Sequence, residues 1–172
     1  MKIDLHTHTF PRSQCSNMTI EELAREAKKI GLDGFCVTEH QSLWSFQDLD
    51  ELSQKTGVLI FRGNEITTAQ GDVLVFGLDT DIQGIITIQQ LKKYVDEARG
   101  YSILAHPFRG FKLFGIGDLQ MSIEQACQKK ALKYVDAIEI RNAQSGIRKM
   151  KWQKKWQINL SSQVLEVVMP IM

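Results

Sequence analysis

The sequence predicts an α/β fold on a parallel sheet, either a barrel or a doubly wound sheet, and three observations lead there. Apolar strand-like runs alternate with amphipathic helical stretches, the connections are short, and no linker, repeat or low-complexity segment interrupts them. Helices placed between successive apolar strands imply parallel neighbours with covered faces.

The elements follow in order. "KIDLHTH" is an apolar strand opening. "TIEELAREAKKIGLDG" reads as a helix, with Thr19 as N-cap, Glu22 completing a capping box and Gly31 as its stop. "GFCVTEH" is a buried strand with a polar end, "SFQDLDELSQKTG" a second helix closed by Gly57, and "VLIFRGNEITT" a third strand. "GDVLVFGL" is another β-rich run, close enough behind to pair with its predecessor. "TIQQLKKYVDEARG" is an amphipathic helix ending at Gly100, and "YSILAHP" a strand stopped by Pro107. A loop rich in Gly and Phe, "FRGFKLFGIGD", leads to the helical "SIEQACQKKALKY" and the strand "VDAIEIRNA".

Bulk properties narrow the function. A chain of 172 residues can bury one full core, and 43% hydrophobic with 24% charged residues is an ordinary globular balance. The formal charge of +1, with both signs interspersed, gives no electrostatic case for a polyanion partner such as duplex DNA. No apolar run approaches the roughly 20 residues of a membrane helix, and the N-terminus lacks the parts of a signal peptide. Cys15, Cys36 and Cys127 form an odd, scattered set without a CxxC pair, which argues against a disulfide framework or structural zinc cluster. The cytoplasm is the expected location.

Chemistry-bearing residues gather at the strands' C-terminal ends: His6 and His8, Glu39 and His40, Glu65, His106, then Glu139 and Asn142. That edge is where parallel α/β folds build their sites. All four histidines belong to this set. On a strand, His6 and His8 would face one way. Imidazole and carboxylate together suit zinc, manganese or iron, and a carboxylate such as Glu65 can bridge two ions. Such ions activate water and clamp phosphate oxygens, so metal-assisted hydrolysis is the expected reaction class. No GxSxG, P-loop or GxGxxG motif competes.

Taken singly, each residue has a plainer reading. His106 before Pro107 reads as a structural hydrogen-bonding residue, Glu39 as a solvated acid leading into a helix, Arg109 and Arg141 as surface charges, and Cys15 as a loop filler. The joint placement favours a metal site.

In order, "DLHTHT", "GLDGFCVTEH", "RGNEITT", "ILAHPFR" and "DAIEIRNA" resemble the motifs of the PHP (polymerase and histidinol phosphatase) domain family, over residues 1–145. The resemblance implies a distorted (β/α)7 TIM-like barrel, incomplete at its C-terminal end. It implies a metal-dependent phosphoesterase that hydrolyses a small phosphomonoester or nucleotide, with a histidinol-phosphate phosphatase, a nuclease-like activity on nucleotide ends or a degenerate non-catalytic domain as alternatives. His6, His8, His40, Glu65 and His106 would be ligands to two or three divalent ions. His40, Glu65 and His106 would serve the chemistry, and Arg109 and Arg141 would lie near the substrate phosphate.

The chain departs from the family pattern twice. Members carry another acid or histidine five or six residues after the HxH pair, where this chain has Ser13 and Gln14, so that Cys15 or water would have to substitute. The family also closes its metal set with Ser-Asp-x-His, and no histidine follows His106. The tail, residues 146–172, reads as out-of-frame sequence replacing the last helix and strand. Read one base earlier, codons for Glu166 to Ile171 can give Gly-Gly-Ser-Asp-Ala-His, the missing element. Met150 to Ile158 shift to Glu, Met or Val, Ala, two of Lys or Glu, Met or Val, Ala, and Asn or Asp, whose apolar positions fall at the i, i+4 spacing of an amphipathic helix. A frameshift between Asn142 and Met150 would account for the missing Ser-Asp-x-His element; the alternative is a natural, divergent C-terminus whose Trp152 and Trp156, four apart, form a helix face.

Overall fold

The computed structural model describes residues 1–40, 42–107 and 128–139. Among these, six strands form one sheet in chain order: β1 (Ile3–Thr7), β2 (Gly34–His40), β3 (Leu59–Thr68), β4 (Gly71–Phe76), β5 (Tyr101–Leu104) and β6 (Ala137–Ile138). Three helices cover it: α1 (Ile20–Lys29), α2 (Phe46–Thr56) and α3 (Ile88–Glu97).

Local chemistry explains the helix boundaries. Thr19 and Glu22 form the expected capping box at α1, and Thr87 with Gln90 repeats it at α3. Ser45 caps α2, whose C-terminal Gly57 adopts φ 69°. That left-handed conformation suits glycine at a helix end. In α1, Ile20, Leu23, Ala24 and Ala27 recur at helical spacing and are the buried residues. With Leu49 of α2 they pack on Phe35, Val37 and Ile60 of β2 and β3. Ile88, Leu91 and Val95 of α3 pack on Ile66, Val73, Val75 and Leu104. Truncating a fully buried leucine such as Leu91 to alanine should cost about 2–5 kcal/mol.

Alternation along β4 separates the two faces of the sheet. Val73 and Val75 join the α3 layer, while Leu74 joins Ile103, Ala105 and Ala137 in a separate cluster. Close approach is enforced where β5 begins: a Cβ on Gly100 would meet the Phe76 carbonyl oxygen at 2.4 Å.

The wholly parallel sheet expected from the sequence needs correction. β1, β2 and β3 are parallel, as are β5 and β6, but β4 is antiparallel to both of its neighbours. Only Ala69 and Gln70 separate β3 from β4, too few for a crossover, so a hairpin forms. The helix expected over "SIEQACQKKALKY" is described only at its end, where Lys130–Lys133 is a 3-10 turn. Arg109, Cys127, Arg141, Asn142 and the tail at 146–172 lie outside the described residues.

The sheet is curled. Six strands spaced at about 4.8 Å would hold the two edge strands of a flat sheet roughly 24 Å apart. Yet His6 of β1 and Glu139, just after β6, are joined by a 3.0 Å hydrogen bond. The curl turns the strand ends of the described sheet towards a common centre, as in part of a barrel.

Candidate metal centre

Each side chain of the centre is delivered by a strand end. His6 lies on β1 and His8 just beyond it, His40 ends β2, Glu65 lies on β3, and His106 follows β5. Glu65 is 2% exposed and stands at the middle. Its Oε2 is 3.4 Å from His6 Nε2, 3.1 Å from His8 Nε2 and 3.3 Å from His40 Nδ1, while its Oε1 is 2.9 Å from His106 Nε2. All five expected ligands are therefore brought together. Arg109 and Arg141, expected near the phosphate, lie outside the described residues.

Three more acids shape the site: Glu39 and Glu139, which the sequence placed at the same edge without naming them as ligands, and Asp72, which it did not single out. Asp72 opens β4 and joins Glu65 and His106 in a group with metal-ligand spacing, its Oδ2 4.0 Å from His106 Nδ1. Glu139, buried after β6, uses Oε1 to hold His6 Nδ1 at 3.0 Å and Oε2 to accept the His106 backbone N–H at 2.6 Å. With His6 Nδ1–H directed to Glu139, Nε2 is left facing the cluster, the usual way an outer carboxylate orients a metal-binding imidazole. His106 itself has φ 28°, an uncommon backbone conformation for a residue other than glycine. Such conformations cost about 1–3 kcal/mol and persist where the surroundings enforce them.

Glu39 is the third acid, and the solvated reading of it is overturned. It is fully buried, because strand alternation sends it to the face opposite His40. There its carboxylate accepts from the Thr9 backbone N–H and hydroxyl, the Ser13 hydroxyl and Trp44 Nε1. Ser13 Oγ, having donated to Glu39, accepts the His40 backbone N–H at 3.3 Å and lies 3.4 Å from His8 Nδ1. Ser13 thus stands behind both His8 and His40. Cys15, read singly as a loop filler, places Sγ 3.5 Å from His40 Nε2 and groups with His8 and His40.

The electrostatics call for positive charge. Burial alone would lower His6, but its hydrogen bonds to Glu139 and Glu65 more than offset this and lift it to about 10. Burial would raise Glu65, yet the hydrogen bonds from His106, His6 and His8 hold it far below the usual carboxylate range. Burial lowers His40, against the attraction of Glu65. Burial also pushes Asp4, beneath His6, up to about 7. His6 Nε2 and His8 Nε2 are 3.1 Å apart, so a single proton serves both, or a cation satisfies both. Two donor groups, His6–His8–Glu65 and Glu65–Asp72–His106, share the Glu65 carboxylate. This nitrogen and oxygen donor set fits divalent transition-metal ions.

Comparison with known proteins agrees with the geometry. The PHP domain family model matches residues 4–113. A probable phosphatase of Vibrio campbellii is 29% identical over 162 residues, covering 83% of this chain and 63% of that protein. A probable phosphatase of Caldicellulosiruptor saccharolyticus is 27% identical, covering 86% of this chain and 69% of that protein. An uncharacterized protein of Methanocaldococcus jannaschii is 28% identical over 123 residues, covering 63% and 68% of the two chains. The fold is similar to a crystal structure from Bifidobacterium adolescentis, a protein provisionally assigned as a metal-dependent phosphoesterase. The TM-score is 0.73 at 13% identity, covering 95% of this chain and 85% of that one.

Proposed function

This chain belongs to the PHP domain family, and from that premise we propose that it is a metal-dependent phosphoesterase acting on a small phosphomonoester or a nucleotide. The observation that carries the reading is the buried Glu65 carboxylate, within 3.4 Å of imidazole nitrogens from all four histidines. Four imidazoles around one acid have no structural economy of their own, since a single hydrogen-bond partner would satisfy each. As a donor set they have a purpose. Relatives named as probable phosphatases support the same chemistry.

In this reading His6, His8, His40, Glu65 and His106 hold two or three zinc, manganese or iron ions, and Asp72 adds a further oxygen donor. When bound, such ions supply a water of lowered pKa and neutralise charge on phosphate oxygens. Glu139 orients the His6 ring so that Nε2 faces the centre, and Ser13 Oγ stands beside His8 Nδ1. His40 is 46% exposed and His6 only 3%, so substrate approaches from the His40 side. Arg109 and Arg141 are assigned to the phosphate, whose geometry suits guanidinium forks.

Metal analysis of the purified protein, paired with phosphomonoester and nucleotide hydrolysis under zinc, manganese and iron supplements, tests the proposal. The expected result is retained metal and turnover that a chelator abolishes. Stoichiometric metal without turnover on any phosphoester would replace it with a non-catalytic domain. Activity indifferent to chelation would end it. Replacing Glu65 with glutamine should remove the bound metal and lower turnover by more than the roughly 10–100-fold typical of outer-shell changes.

A further inference from the structure

We infer, resting on the metal-dependent reading above, that the centre has two chemically different ion positions: a thiophilic one at Cys15, His8 and His40, and an oxygen-rich one at Glu65, Asp72 and His106.

Cys15 Sγ lies 3.5 Å from His40 Nε2, and the three donor atoms of Cys15, His8 and His40 all lie within 4.8 Å of one another. A tetrahedral zinc ion with Zn–S of about 2.3 Å and Zn–N of about 2.05 Å holds those two ligands about 3.5 Å apart. The pair is thus spaced for a shared ion without any movement. The His8 and His40 rings stack at 4.5 Å with an interplanar angle of 17°, which presents them in parallel at the solvent side of the cluster.

The cysteine's position is held by its neighbours. Ser13, two residues before it, is fixed by the buried Glu39 carboxylate, and its backbone N–H is bonded to the Thr9 carbonyl at 2.8 Å. Ser16 N–H then returns to the Ser13 carbonyl at 3.2 Å, so Cys15 sits inside a turn tied at both ends. The other described cysteine, Cys36, is a different case. Burial pushes its thiol up to about 12, and it belongs to none of the donor groups.

Donor chemistry then separates the two positions. Thiolate with imidazole selects zinc or cobalt, whereas two carboxylates with one imidazole suit a harder ion such as manganese. A centre built this way, loaded from a mixture, should take both metals. It also ties one ion to an exposed sulfur, so that ion alone should be lost when the thiol is blocked.

The test uses the metal-free protein loaded anaerobically with cobalt(II). The expected result is a near-ultraviolet sulfur-to-cobalt charge-transfer band that is lost in Cys15→Ser, together with one bound equivalent. Cys15→His should restore that equivalent without the band, which also controls for folding. Loading from a zinc and manganese mixture should give both metals, with the zinc share reduced in Cys15→Ser. The inference fails if no such band forms, if the band survives in Cys15→Ser, or if the zinc share is unchanged. Should cobalt bind at full stoichiometry without a sulfur band, the metal centre stands and only the thiophilic position falls. If neither form retains cobalt, both readings fall.

Discussion

His6 and Glu139, from opposite edges of the sheet, meet through Nδ1 and Oε1 at 3.0 Å. This contact joins the first strand to the last described one and sets which imidazole nitrogen faces the centre. The second Glu139 oxygen accepts the His106 backbone N–H, so the carboxylate supports two ligands and both of its oxygens must accept. In Glu139→Gln one acceptor becomes a donor, and in either orientation an amide NH2 meets an N–H. Metal affinity should fall about 10–100-fold. Titration of the metal-free protein with zinc against a chromophoric chelator reads this, and an unchanged affinity would remove Glu139 from the site.

Glu39 should matter to stability before it matters to metal. Removing its carboxylate leaves buried donors from Thr9, Ser13 and Trp44 without their acceptor. Breaking one side of a buried charged network costs on the order of 3–5 kcal/mol. Glu39→Ala should therefore lose about 3 kcal/mol or more in urea unfolding of the metal-free protein, and Glu39→Gln less. A Glu39→Ala variant within about 0.5 kcal/mol of the parent would return Glu39 to the surface reading.

Much of this was legible in the sequence, and the misses have a common cause. The Thr19–Glu22 box, the Gly57 cap and the placing of four histidines and Glu65 along the strands are local patterns, and the sequence shows each of them. Asp72 escaped because β4 is inverted: the start of an antiparallel strand lies beside the end of its parallel neighbour, so a search of strand C-terminal ends passes over it. Glu139 was visible at its strand end, but only the curl of the sheet reveals that it faces His6. Glu39 could have been read from parity alone. If His40 faces the centre, the residue before it must face the other way, into the β1–α1 loop.

The metal-free protein should release a proton when it binds an ion. His6 is raised from 6.5 to about 10, so its contribution to stability is fully present below pH 6.5 and is lost as pH rises through 10. Glu65 runs oppositely: its folded-state value is depressed, so its contribution is present above 4.5 and drains only under strong acid. An ion at His6 needs a neutral Nε2 and must displace the proton held there, so apparent affinity should climb with pH up to about 10. Calorimetry at neutral pH in buffers of different ionisation heat measures the protons released. Heats that do not depend on the buffer would contradict a protonated His6.

Sequencing the locus should find the Ser-Asp-Ala-His codons one base out of register with Glu166 to Ile171, and an insertion or deletion between Asn142 and Met150. The present tail places Trp152 and Trp156 four apart, which as native sequence would make one helix face. In the neighbouring frame the codon choices open to this tail can encode a charged amphipathic helix followed by an aspartate and a histidine, which would be two further metal donors. A chain rebuilt in that frame should therefore bind ions more tightly than the 172-residue form and turn over phosphoester faster. Equal affinity and turnover in the two forms, or a neighbouring frame without the aspartate and histidine codons, would make the tail a native terminus.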